Sequence, residues 1–292
     1  MGIYGFRLDV ADELSDNFIS RIKEKHTEII QDSILFGEVW EDASNKCSYG
    51  RRRRYYLGRE LDGVMNYPIR KGIIDFLLGI GTDTLEYALR DVTANAPERV
   101  LHNQMNLLGT HDTERILTLL GGCSRDGKSN QELSTFKMDA SHRSIAKKRL
   151  ICAYTVLATL PGIPTVFYGD EAGLEGFGDP FNRMPYPWGR EDLEILNHYK
   201  SLGSIRTEHA IYKNGDFKLI YLDKNLLIFK RFNGINTYLT VLNNSENDFS
   251  IKFDTCAKAL IKKRSSDTHF ISSLSAEIFY IKNNSSIEIF EG

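Results

Sequence analysis

Gly5-Phe6-Arg7-Leu8-Asp9, Ile34-Leu35-Phe36-Gly37-Glu38 and Asn106-Leu107-Leu108-Gly109-Thr110-His111-Asp112 are three apolar runs that each end in a carboxylate. Each is apolar enough to be a buried parallel strand, and the charge arrives only at its C-terminal edge. In a (β/α) barrel that edge carries the active site, assembled from the ends of several strands. Two carboxylates at facing strand ends are the minimum for cleaving a glycosidic bond with retention of configuration, and a third can grip the sugar. The competing reading is three unrelated helix N-caps, which βα loops commonly supply. It leaves unexplained why each carboxylate has a second functional group beside it: Arg7, Trp40 and His111.

Outward from these runs, strands alternate with helices. Ile3 to Val10, Ile34 to Val39, Gly63 to Tyr67, Met105 to Thr110 and Thr165 to Gly169 read as strands. Helical spacing falls at Ser15 to Lys25, 69–79, 82–91, Thr113 to Leu120, Ser144 to Leu160 and Glu191 to Arg206. Such alternation means a parallel sheet with right-handed crossovers. After about residue 212 the texture changes to short alternating runs broken by Asn-Gly, Asn-Asn and Asp-Lys turns, the pattern of an antiparallel β domain. The expected fold is α/β: a partial (β/α)8 barrel over 1–211, its last five βα units, followed by an antiparallel β-sandwich over 212–292. A closed barrel needs eight strands; the other three are expected N-terminal to Met1, since an open five-stranded sheet would leave an edge at Ile3-Tyr4-Gly5.

Bulk composition narrows the partners. With 292 residues, 41% hydrophobic and 26% charged residues, the chain has the make-up of a globular protein. A net charge of -2 gives no reason to expect nucleic acid or an anionic membrane. The one dense basic run, Arg51-Arg52-Arg53-Arg54, fits a solvated face or contacts near the site better than a nucleic-acid patch. Cys47, Cys123, Cys152 and Cys256 are widely spaced and indicate neither a zinc site nor a disulfide framework. No apolar run reaches the ~18 residues of a membrane span, and no leader is evident, so a cytoplasmic location is expected.

With these residues in view, the chain resembles the α-amylase superfamily, glycoside hydrolase family 13, from Ile3 to about Arg206. The resemblance rests on Gly5-Phe6-Arg7-Leu8-Asp9-Val10-Ala11-Asp12-Glu13, Phe36-Gly37-Glu38-Val39-Trp40, Leu108-Gly109-Thr110-His111-Asp112-Thr113 and the stretch Gly162 to Glu171. Asp62-Gly63-Val64-Met65-Asn66-Tyr67-Pro68 and Asp179-Pro180-Phe181-Asn182-Arg183 make it most similar to the neopullulanase, cyclomaltodextrinase and maltogenic amylase group.

The resemblance implies Asp9 as nucleophile, Glu38 as acid/base and Asp112 as the third carboxylate. Arg7 and Asp9, two apart on one strand, share a face, so a guanidinium would favour the ionised carboxylate that a nucleophile needs. In a retaining arrangement the two carboxyl groups stand only ~5 Å apart. His111 and Asp112 would bond hydroxyls of the sugar at the cleavage point, and Asp179 with Arg183 would hold a distal donor-side glucose; a loop ion pair is the other reading of that pair. Trp40 and Tyr67 are candidate stacking platforms or packing residues. The implied activity is retaining hydrolysis of α-1,4 bonds in maltooligosaccharides, cyclodextrins or pullulan. A glucanotransferase, an α-1,6-glucosidase, a non-catalytic carbohydrate-binding protein and an inactive fragment of such an enzyme are the alternatives. Partners are α-glucan oligosaccharides, with a homodimer of the full-length enzyme also compatible. No metal or other cofactor is expected in this portion, calcium being compatible only with what precedes it. Two departures stand out: Glu41 replaces the histidine that many group members carry after the tryptophan, and the family's first motif, with its histidine and aspartate, is absent.

Overall fold

The computed structural model describes residues 3–282 and 287–291. Fourteen strands lie among them: β1 Gly5–Leu8, β2 Ile34–Gly37, β3 Cys47–Ser48, β4 Arg51–Arg52, β5 Gly63–Val64, β6 Met105–Leu107, β7 Ile163–Thr165, β8 Asp216–Leu222, β9 Leu226–Phe232, β10 Asn236–Asn243, β11 Phe249–Ala259, β12 Arg264–Ile271, β13 Ser275–Lys282 and β14 Ile287–Glu291. The chain divides into two compact units. The first comprises Met1–Gly72, Asp83–Leu107 and Pro161–Thr165; the second comprises Ile73–Thr82, Leu108–Leu160 and Val166–Gly292.

In the first unit the parallel strands follow one another in chain order. β1 pairs with β2 in the register Gly5↔Ile34 to Leu8↔Gly37, and β2 with β5 through Phe36↔Gly63 and Gly37↔Val64. A parallel bridge, Met65↔Met105, passes the ladder to β6, which pairs with β7 through Met105↔Ile163 to Leu107↔Thr165. Ile19, Leu35, Val39, Tyr55, Leu61 and Val64 form a core on this sheet. The closeness of packing shows at Gly63, where a Cβ would stand 2.3 Å from the carbonyl oxygen of Asn103. Among the described residues β1 pairs with β2 alone, and Ile3, Tyr4 and Phe6 are 45–70% exposed there.

A buried amide relay links the segments of three successive parallel strands, β5, β6 and β7. Asn66 Nδ2 donates to Asn106 Oδ1 at 2.9 Å, and Asn106 Nδ2 donates to the carbonyl of Pro161 at 2.7 Å. Asp62, also buried, accepts from Lys23 Nζ at 2.6 Å, from the Leu35 amide at 2.8 Å and from Arg99 Nη2 at 3.4 Å. It pins the approach to β5 onto β2 and onto the helix Asp16–Ile29, which Ser15 caps by accepting from the Phe18 amide.

The expected last strand is displaced. Its ladder runs over Ile163–Thr165, and the apolar residues Val166 and Tyr168 leave the sheet about 40% exposed. The physical reason is local: Asp170 N bonds Phe167 O at 3.1 Å, Leu174 N bonds Gly169 O at 2.9 Å, and Gly169 adopts φ +87°. Turn bonds therefore occupy groups that a longer ladder would need. Helix 82–91 also differs, passing from Asp83–Tyr87 into a wider turn over Ala88–Val92.

The second unit holds an antiparallel sheet in the order β12-β11-β13-β10-β9-β8, with β14 paired to β11. Ile228, Leu239, Val241, Ile251, Phe253, Phe279 and Ile281 fill its core. The long helix Ala140–Thr159 is N-capped by Asp139, whose carboxylate accepts from the amides of Ser141 and His142. At its other end the fully buried Arg231 donates to the carbonyls of Thr159, Ile211 and Gly215. Cys152 lies buried in this helix, its thiol pushed up to about 12 by burial, and all four cysteines are free.

Candidate active site

Asp9 and Glu38 occupy equivalent places, each the first residue beyond its strand. The β1–β2 register carries on past both: Glu38 N donates to Leu8 O at 3.0 Å and Ala11 N to Glu38 O at 3.1 Å. Arg7 then joins the two carboxylates. Its Nη1 lies 2.5 Å from Asp9 Oδ1 and its Nη2 3.1 Å from Glu38 Oε1. The surroundings of the two acids differ sharply: the Asp9 side chain is 74% exposed, that of Glu38 only 6%. Glu38 is also held by Trp40 Nε1 on Oε1 at 3.3 Å and by the Val10 amide on Oε2 at 2.9 Å. One acid is free to meet a ligand and the other is fixed from several sides.

Two further features shape this cluster. Trp40 is 47% exposed and stacks on the buried Tyr67 with ring centroids 4.0 Å apart, so Tyr67 backs the indole while the indole keeps an open face. Arg53 clamps the loop after Asp9, donating to the carbonyls of Asp12 at 3.0 Å and Leu14 at 2.5 Å. Of the basic run, then, Arg53 is a buried structural clamp, while Arg51 and Arg52 are exposed. Tyr55 donates to Asp12 Oδ1 at 2.7 Å, and burial followed by that carboxylate pushes its phenol well above the usual range. Glu41 pairs with Lys46 at 2.5 Å, and Lys46 in turn with Asp12 at 3.2 Å.

The remaining predicted residues lie in the second unit. His111 Nε2 stands 3.1 Å from Asp112 Oδ2, both side chains about 40% exposed. Arg183 Nε pairs with Asp179 Oδ1 at 2.6 Å. The sequence reading missed the two residues that organise this region. Asn182, fully buried, donates from Nδ2 to His111 O at 2.8 Å and to Thr113 O at 2.7 Å. Arg115, also buried, donates to Asn182 O at 2.7 Å and to Tyr168 O, and pairs with Asp170 at 3.1 Å. The signal available was a lone arginine opening the apolar run Ile116-Leu117, where an unpaired charge would be costly to bury. Among the described residues no group of three or more His, Cys, Asp or Glu side chains is placed to hold a metal ion, and no helix is long and apolar enough to cross a membrane.

Residues 1–192 match the family Alpha amylase, catalytic domain. The chain belongs to the α-amylase family. Among its relatives in this family are an amylopullulanase of Thermoanaerobacter thermohydrosulfuricus, 33% identical over 82% of this chain and 16% of that protein, and a cyclomaltodextrinase of Thermoanaerobacter pseudethanolicus, 32% identical over 83% of this chain and 38% of that one. A solved cyclomaltodextrinase superposes with a TM-score of 0.77 over 97% of this α-amylase-family chain and 46% of its own, at 24% identity, a likeness of fold. The chain thus spans less than half the length of each of these relatives.

Proposed function

We propose that this chain supplies the catalytic carboxylates of a retaining α-glucan hydrolase acting on maltooligosaccharides, cyclodextrins or pullulan. The observation that carries the reading is Arg7 bridging Asp9 and Glu38 at adjacent parallel strand ends. In this account Asp9 attacks the anomeric carbon while Glu38 gives its proton to the departing glycosidic oxygen, leaving a β-linked glycosyl ester on Asp9. Glu38, now a base, takes a proton from water, which attacks the same carbon, frees Asp9 and restores the α configuration. Arg7 orients the nucleophile, and the contacts on Glu38 hold the acid at a fixed point, as positional catalysis requires.

His111 and Asp112 grip hydroxyls of the glucose being cleaved. Such bonds raise the rate only if they strengthen as the ring flattens. Asp179 and Arg183 hold a glucose farther toward the non-reducing end, and the open face of Trp40, backed by Tyr67, stacks on a sugar ring. The five parallel strands are the last five units of a (β/α)8 barrel, and residues 212–292 are an appended antiparallel β domain. The outer edge of β1, which pairs with no other described strand, supports this: within a barrel it would be paired.

The test is product stereochemistry. Proton NMR of maltoheptaose hydrolysis by the full-length enzyme should show the α-anomer first. A first-formed β-anomer would rule out the retaining assignment. The likeness to an amylopullulanase favours a second activity on α-1,6 bonds. Pullulan digestion separates the two, because α-1,4 cleavage yields panose-type trisaccharides and α-1,6 cleavage yields maltotriose.

A further inference from the structure

We infer that Asn182 is a positioning residue that couples occupancy of the Asp179–Arg183 loop to the aim of Asp112. The inference rests on the sugar-binding roles proposed above for those three residues. The side chain of Asn182 is fully buried, and both its amide hydrogens are used on one short segment: His111 O at 2.8 Å and Thr113 O at 2.7 Å. Two carbonyl acceptors facing the same end of the amide identify that end as the NH2 group. The His111 carbonyl lies in the peptide that enters Asp112, and the Thr113 carbonyl lies one peptide beyond the one that leaves it; that intervening peptide is held by Thr113 N donating to Thr110 O at 3.3 Å. Together these bonds restrict the direction in which the Asp112 carboxylate leaves the backbone.

The clasp is itself anchored. Arg115 Nε donates to the carbonyl of Asn182 at 2.7 Å while its Nη1 engages Asp170 at 3.1 Å and the carbonyl of Tyr168. Asn182 is thus held on its carbonyl side by Arg115 and is continuous along the chain with the Asp179–Arg183 loop. That loop carries Arg183 as its next residue and Asp179 three residues before, joined by an ion pair at 2.6 Å and both about half exposed. A sugar that bridges or displaces this pair acts on a segment bonded directly to the Asp112 loop. Binding energy from a remote glucose is then expressed at the reacting centre, so that longer substrates gain in kcat as well as in KM.

The test uses the full-length enzyme and compares maltotriose with maltoheptaose. Asp112→Asn, measured first, checks the underlying reading: near-wild-type turnover would overturn the role of Asp112 and this inference with it. Asn182→Asp keeps the size but turns an oxygen toward two carbonyls, and Asn182→Ser keeps a single donor should the first variant not fold. For a displacement of about 1 Å at Asp112, kcat should fall by about 100-fold while KM stays within about threefold. The gain in kcat from maltotriose to maltoheptaose should vanish. If Asp112→Asn is inactive and a folded Asn182 variant, verified by circular dichroism, keeps wild-type kcat and the full chain-length gain, Asn182 is a structural residue only and the inference is overturned.

Discussion

The backbone amide of Val10 donates to Oε2 of Glu38 at 2.9 Å. The residue that follows the proposed nucleophile thus holds the proposed acid. To present that N–H, Val10 adopts φ 44° and ψ 56°. This left-handed conformation is unusual for a β-branched residue and costs about 1–2 kcal/mol. Strain kept at a site edge is a reason to look for function there. Val10→Gly retains the amide and removes the strain, so kcat should stay within about threefold of wild type by the same near-neutral logic as other compatible glycine substitutions. Val10→Pro has neither the amide nor access to that φ, and a shift of Glu38 by about 1 Å should lower kcat about 100-fold. Initial rates on maltoheptaose decide between them.

Asp9→Asn should abolish turnover and leave the fold intact. The side chain is 74% exposed, and substitutions at such positions typically change stability by no more than about 0.5 kcal/mol. Thermal unfolding alongside a reducing-sugar assay would check both halves. Hydrolysis at a rate close to wild type would exclude Asp9 as nucleophile.

Asp62 is expected to matter for stability. Its carboxylate is 7% exposed and accepts from Lys23 at 2.6 Å and from the Leu35 amide at 2.8 Å. Removing one partner of a buried pair strands the other, so Asp62→Ala should destabilise by about 3–5 kcal/mol in urea unfolding. A loss below ~1 kcal/mol would show that water replaces the carboxylate without penalty.

His198 gives the fold an acid limit. Its Nε2 lies 3.1 Å from the carbonyl of Ile151 and 3.0 Å from Thr155 Oγ1, and Glu194 is the nearby acid. Burial dominates and lowers its pKa to about 4 from 6.5. Between those values the unfolded chain binds the proton and the folded chain does not, so stability rises with pH across this window and falls on acidification. The loss should be on the order of 3 kcal/mol from above pH 6.5 to below pH 4. His198→Gln should flatten that part of the urea-midpoint profile, and an unchanged slope would assign it to other groups.

The 292-residue chain alone should be weakly active and self-associating. Phe6 in β1 and Ile3 and Tyr4 just before it are exposed along an edge that pairs with no other described residue, and such an edge is a template for pairing with another chain. Apolar surface left wet there favours association at roughly 25 cal/mol for each Å². Sedimentation with a reducing-sugar assay checks this. A stable monomer with full activity would contradict the barrel proposal.

Much of this was legible in the sequence because it is written in local order. A short apolar run ending in a carboxylate states both the strand and the place where a charge leaves it, as Gly5 to Asp9 and Ile34 to Glu38 do. The alternation after residue 212 likewise anticipated the antiparallel strands that follow, β9 and β10 among them. What stayed hidden depends on long-range bonds. Asn182 reaches back about 70 residues to clasp the carbonyls around Asp112, and no periodicity marks such a residue. Val166 to Tyr168 read as strand from composition, yet turn bonds around Gly169 draw them out of the ladder. The Arg51 to Arg54 run showed charge but not that Arg53 alone turns inward.

The central claim is that Asp9 attacks the sugar while Glu38 serves as acid and base. Trapping the full-length enzyme with a fluorinated α-maltosyl fluoride, followed by proteolysis and tandem mass spectrometry, tests it most directly. The account predicts a single glycosyl adduct on the carboxylate of Asp9, absent in Asp9→Asn but still formed in Glu38→Gln, because a fluoride leaving group departs without the proton that Glu38 supplies. An adduct on any other residue, or inactivation with no covalent sugar at Asp9, would contradict it.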